Sequence, residues 1–96
     1  MIIVRDIFQL QFGKARDVIE LIKEGRELFK AAGYPIDRVL TDITGEYYTL
    51  IMESRLENLS ELETVLGNPP AGWRDIYARI VPLVKSGRRE ILREVE

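Results

Sequence analysis

MIIVRDIFQLQFGK, residues 1–14, decides how the rest of the chain is read. Through Phe12 it has the two-residue period of a β-strand. Ile2, Val4, Phe8, Leu10 and Phe12 fall on one face, and Ile3, Arg5, Ile7, Gln9 and Gln11 on the other. Asp6 breaks the apolar face. A carboxylate in that place is either a paired structural charge or a chemical group. Gly13-Lys14 ends the alternation.

Beyond it the period changes. Ala15, Val18, Ile19, Ile22, Gly25, Phe29 and Ala32 recur at three and four, which predicts an amphipathic helix over 14–32. Leu21 and Leu28 widen its stripe to one side, a hint of a second contact surface. Gly33 is placed to stop the helix in a left-handed cap, with Pro35 two residues later. Residues 36–43 alternate loosely, Thr44-Gly45 supplies a turn, and EYYTLIMES (46–54) is rich in β-branched and aromatic residues, so the stretch reads as a hairpin. In its second strand Tyr47, Thr49 and Ile51 face one way, and Tyr48, Leu50 and Met52 the other. Both faces are largely apolar.

Helical spacing returns at Leu59, Leu62, Val65 and Leu66, with Asn58 or Ser60 as N-cap, until Gly67-Asn68-Pro69-Pro70 breaks it. Trp73, Ile76, Tyr77, Ile80, Leu83 and Val84 mark a second helical segment, whose last turn Pro82 should kink or end early. Ser86-Gly87 closes it, and Arg88-Arg89 reads as a basic doublet offsetting the helix dipole. Residues 88–95 read as a last strand.

The order is strand, helix, strand, strand, helix in two pieces, strand. Right-handed crossovers fold this βαββαβ order into one α+β, ferredoxin-like domain over 1–96, a four-stranded antiparallel sheet with the helices on one face. The uncovered face is too apolar to stay wet, which predicts a homodimer joined sheet to sheet.

Composition narrows the function. Net charge is −2, positive and negative residues interleave, and no basic stripe stands out, so no nucleic-acid partner is expected. With no cysteine there is no disulfide, thiol nucleophile or thiolate metal site. With no histidine the commonest metal ligand and the usual base at neutral pH are missing. The chain shows no glycine-rich phosphate loop, nucleophile elbow or EF-hand spacing, so neither cofactor nor metal is expected. No signal-peptide pattern occurs and the apolar runs are too short to span a bilayer, which predicts a cytoplasmic protein without a membrane partner.

Several short features recur in a telling order. They are the first strand ending in Gly13-Lys14, Ala32-Gly33-Tyr34 before the hairpin, Gly45-Glu46-Tyr47, the stretch 56–62, Pro82-Leu83-Val84, and Ser86-Gly87-Arg88-Arg89-Glu90-Ile91. On these the chain resembles NIPSNAP-like small proteins of the dimeric α/β-barrel superfamily. The resemblance implies a dimer whose two sheets close a barrel, and a pocket in each subunit between helices and sheet. Some members of that superfamily are cofactor-free monooxygenases or haem-degrading enzymes, with an amide on the first strand, a tryptophan and, for haem, a histidine lining the pocket. Asp6 stands where the amide would, Trp73 lies near the pocket region, and the haem-binding histidine has no counterpart.

The candidate site is therefore Asp6 with a pocket wall of Phe8, Tyr48, Trp73 and Tyr77. Asp6 is a general base or substrate anchor, or else an ion-pair partner of Arg74, Arg79 or Arg38. Trp73, Tyr77 and Ile80, at i, i+4 and i+7, are ordinary core or one wall of a flat apolar pocket lidded by residues 67–72. Three functions fit. The first is a NIPSNAP-like protein of unassigned role, binding a small apolar molecule between helices and sheet. The second is a cofactor-independent monooxygenase or isomerase-like enzyme with Asp6 as base. The third is a structural or regulatory dimer without a ligand.

Overall fold

β1 (Ile2–Leu10) lies inside the sheet, between β3 (Thr49–Leu56) and β4 (Val84–Arg93), with the short β2 (Arg38–Thr41) on the outer edge of β3. The computed structural model describes residues 1–95. Every strand pair is antiparallel, and the strand order is β2-β3-β1-β4. α1 (Ala15–Ala31) crosses from β1 to β2; α2 (Leu59–Gly67), α3 (Trp73–Ile80) and a 3-10 turn (Val81–Leu83) cross from β3 to β4. This is the ferredoxin-like α+β fold. Among the described residues no helix is long and apolar enough to cross a membrane.

The helices dock where the alternation of β1 and β3 presents bulk. Leu10, Leu50 and Met52 meet Val18, Leu21 and Ile22 of α1 and Ile76 and Ile80 of α3 in the main core. A satellite cluster joins Val4 and Leu56 to Leu62 of α2. Leu21 and Leu28 are used within the chain: Leu21 is buried, and Leu28 packs against the same core. The helix boundaries follow local chemistry. Gly33, at φ +88°, closes α1 in a Schellman arrangement, with the Gly33 amide donating to the Lys30 carbonyl and the Tyr34 amide to the Phe29 carbonyl. At the start of α2 the Asn58 side chain accepts from the Glu61 amide at 2.9 Å.

Three boundaries differ from the sequence expectation. β1 stops at Leu10, because the Gln11 amide turns to the Leu83 carbonyl; Phe12 is left 82% exposed. The hairpin strands are shorter and its loop longer, spanning 42–48. Side chains hold that loop, with Asp42 Oδ1 accepting from the Thr49 amide and Thr49 Oγ1 donating to the Glu46 carbonyl. Finally, β4 begins at Val84 rather than at 88. Pro82 sits in the first positions of the 3-10 turn, and Val84 is already extended, so Gly87 and the arginine doublet lie inside a strand.

The helical layer is set by one close approach. A Cβ built on Gly25 of α1 would lie 2.5 Å from Cζ3 of Trp73 in α3. Gly25→Ala should therefore destabilise the fold: overpacking of about 1–3 kcal/mol outweighs a helix-propensity gain of about 1 kcal/mol. Gly67→Ala is the control, since nothing lies within 4 Å of its Cβ position. It should leave stability unchanged or raise it by about 0.5 kcal/mol. Urea unfolding of the two variants, compared with the parent, checks the contrast.

Candidate functional site

A cavity of about 690 Å3 lies between the helical layer and the sheet, bordered along β4 by the exposed residues 85–89. Val4, Asp6, Phe8, Met52, Ser54 and Leu56 form its floor; Phe29, Leu62, Val65, Leu66, Trp73 and Tyr77 form its roof. It exists because β4 offers the helices little to dock on. The β4 residues opposite Phe8, Asp6 and Val4 are Gly87, Arg89 and Ile91. Gly87 also admits the ring of Phe8, since a Cβ there would lie 2.8 Å from Phe8 Cδ1.

Asp6 faces this cavity with a cation attached. Arg89 Nε donates to Asp6 Oδ1 at 2.7 Å, the two side chains being 40% and 25% exposed. The pair is cross-strand, Asp6 and Arg89 being register partners. The partner is thus none of the three arginines expected. Arg38 instead binds Glu53, its Nε donating to Oε1 at 2.8 Å. The earlier start of β4 is the cause: it slides the doublet from a helix end to the strand position opposite Asp6. An unencumbered base would need both an open cavity and a carboxylate free of cations; Asp6 meets the first condition and not the second.

Phe8, Trp73 and Tyr77 line the same cavity as Asp6. The Trp73 ring is edge-on to Phe29, with centroids 5.0 Å apart, and tilted against Tyr77 at 5.9 Å. The buried line of α3 is Ile76 and Ile80; Tyr77 sits at its margin, 47% exposed. Tyr48 is a correction. It ends the 42–48 loop at φ +59°, and its ring lies tilted against Phe12 at a centroid distance of 4.8 Å. There it lines a separate hollow of about 400 Å3 with Leu10, Ala15 and Ile19. The 67–72 lid is a second correction, for none of those residues lines the main cavity. Sequence reasoning missed Arg89 and Lys85 as lining residues, although the basic doublet was the available signal.

The opposite face of the sheet carries a row of charges across all four strands: Arg38, Glu53, Arg5 and Glu90 are successive register partners. Glu53 is 9% exposed and bridges two arginines. Arg5 Nε lies 2.9 Å from Glu53 Oε2 without an aligned hydrogen bond, a charge contact in the main. Ile3, Ile7, Leu40, Ile51 and Leu92 flank the row. Among the described residues no group of three or more carboxylates is placed to hold a metal ion.

The architecture is thus a ferredoxin-like α+β layer pair, a fold shared with solved structures. No family model and no curated protein matches the sequence. A NIPSNAP family protein from Agrobacterium tumefaciens superposes with a TM-score of 0.87 at 17% identity, over 99% of this chain and 93% of that one. An uncharacterised NIPSNAP domain protein from Burkholderia xenovorans gives 0.80 at 13% identity, over 99% and 95%. A proposed antibiotic biosynthesis monooxygenase from Nitrosomonas europaea gives 0.81 at 8% identity over the whole of both chains. At these identities the likeness is one of fold, the fold that the sequence resemblance implied.

The Asp6–Arg89 pair is part-exposed, and pairs of that kind contribute roughly 0.2–1 kcal/mol. Asp6→Asn should therefore lower the stability measured by urea unfolding by less than about 1 kcal/mol. A loss of several kcal/mol would mean that the pair anchors β4 to the sheet.

Proposed function

We propose that this chain is a NIPSNAP-like cytoplasmic protein that binds a small, largely apolar molecule between its helices and its sheet. One observation carries the proposal: an open cavity of about 690 Å3 walled by Phe8, Leu62 and Trp73. Ligand sites are typically concave, mostly apolar spaces of about 300–1,000 Å3 with a few convergent polar groups. Asp6, Ser54 and Arg89 are such groups here. The aromatic side chains pack against one another and α1 without filling the space, which favours binding over a purely structural role. Asp6 as the base of a cofactor-independent monooxygenase or isomerase-like enzyme has less support, because Arg89 already engages it.

We further propose that two copies associate through the open sheet face. The charge row alternates in sign, so a twofold axis crossing it at right angles sets each positive group over a negative one. The flanking isoleucines and leucines would then be removed from water.

Trp73 is the single tryptophan and lines the cavity, so its emission reports occupancy. A neutral two-ring probe such as naphthalene-2-carboxamide should shift or quench it saturably. Ser54→Phe, which fills the cavity from β3, should abolish the response while leaving the circular dichroism spectrum intact. An unsaturable response, or one unaffected by Ser54→Phe, contradicts the binding proposal. Sedimentation velocity at micromolar concentration should show a dimer that Ile51→Lys converts to monomer. A parent protein sedimenting as a monomer contradicts the association.

A further inference from the structure

The ionic lining of the cavity is lopsided. Among the described residues its only carboxylate is Asp6, whereas Lys85, Arg88 and Arg89 all border it, and all three lie on β4. Arg88 belongs mainly to the other side of the sheet: its register partner is Ile7, and its guanidinium lies 3.5 Å from Glu90. Lys85 and Arg89 are left as the cations of the cavity mouth.

The posture of Arg89 is specific. Asp6 takes its Nε, and among the described residues neither Nη1 nor Nη2 makes a hydrogen bond. A guanidinium held at one position, with its two-nitrogen end open, matches the two oxygens of a carboxylate. Lys85, without an ion-pair partner among the described residues, adds a second, mobile positive charge on the same strand. On β1, β2 and β3 each arginine is paired: Arg5 and Arg38 on Glu53, and Arg55 on Glu94. The protein as a whole is net negative, so open cations beside an apolar cavity are a local arrangement and not a general surplus of base.

Resting on the binding role proposed above, we infer that the ligand is an apolar-bodied carboxylate. Its hydrophobic body lies against Phe8, Leu62 and Trp73, and its head is taken end-on by Arg89 with Lys85 alongside. Asp6 is then a positioning residue that orients the guanidinium. Lying at the open mouth, the head keeps part of its hydration, so the charge need not be fully buried.

The test compares naphthalene-2-carboxylate with its neutral amide on the full chain, by Trp73 emission and by calorimetry. The carboxylate should bind about ten-fold tighter, as expected for one charge-assisted contact at a part-exposed site. The preference should shrink as salt is raised. Arg89→Gln should bring the carboxylate down to the affinity that the same variant shows for the amide. Arg89→Lys should retain part of the preference, and Lys85→Gln should lower it by a smaller factor, which keeps the test alive should Arg89→Gln fail to fold. Equal binding of the two probes by the parent overturns the inference and leaves the cavity's ligand role standing. A preference that survives Arg89→Gln overturns Arg89 as the anchor. Failure of both probes to bind overturns the binding proposal together with this one.

Discussion

The rest of the molecule depends on the contact between Gly25 and the Trp73 ring. With no side chain at Gly25, the indole lies directly on α1, and α1 and α3 are locked side by side. That pair can settle only where the sheet offers bulk, on Leu10, Leu50 and Met52 of β1 and β3. β4 offers Gly87, Arg89 and Ile91, and Ile91 remains 44% exposed. A cavity at the β4 side follows from where the large residues are, without any element being displaced to make it. The same contact turns Trp73 into a wall: one part of the indole meets α1 and Phe29, and the rest borders open space.

Local signals in the sequence carried much of this. The alternation of β1 assigned its two faces correctly between Ile2 and Leu10, and the Gly33-Pro35 signal placed the end of α1. Such features are legible because burial imposes a period, and helix ends impose residue types. What escaped was non-local. Val84 satisfies a helical spacing as well as a strand, and only its pairing with Leu10, past the irregularity after Gln9, shows which applies. The partner of Asp6 follows from that register, so Arg89 was hidden until β4 was placed. Tyr48 escaped for another reason: the 42–48 loop is held by hydrogen bonds that Thr49 donates to the Asp42 carboxylate and the Glu46 carbonyl, which leave no mark on hydrophobic periodicity.

The open face shows how a sheet can present charge without leaving it stranded. By alternation, Arg5 and Gln9 lie on the face of β1 turned away from the helices. Both are engaged within the chain. Arg5 contacts Glu53 and Glu90; Gln9 donates to the Tyr47 carbonyl. Covering a charge whose partner is already in place is far less costly than covering a lone one. The face therefore combines the half-buried Ile3, Leu40 and Ile51 and the exposed Leu92 with charges that are already compensated.

Cavity and open face meet in β4. Its only neighbour in the sheet is β1, and consecutive residues serve opposite sides: Arg88 stands opposite Ile7 on the open face, Arg89 opposite Asp6 at the cavity. At Gly87 the Phe8 ring occupies the room a side chain would take. Under the association proposed above, a partner subunit laid across Arg88 and Leu92 would restrain the backbone that carries Arg89. A ligand held by Arg89 would in turn restrain the strand that presents Arg88 and Leu92. Coupling between two sites through one shared element is reciprocal in binding free energy. In this fold the shared element is a single edge strand, with the two sites one residue apart along it.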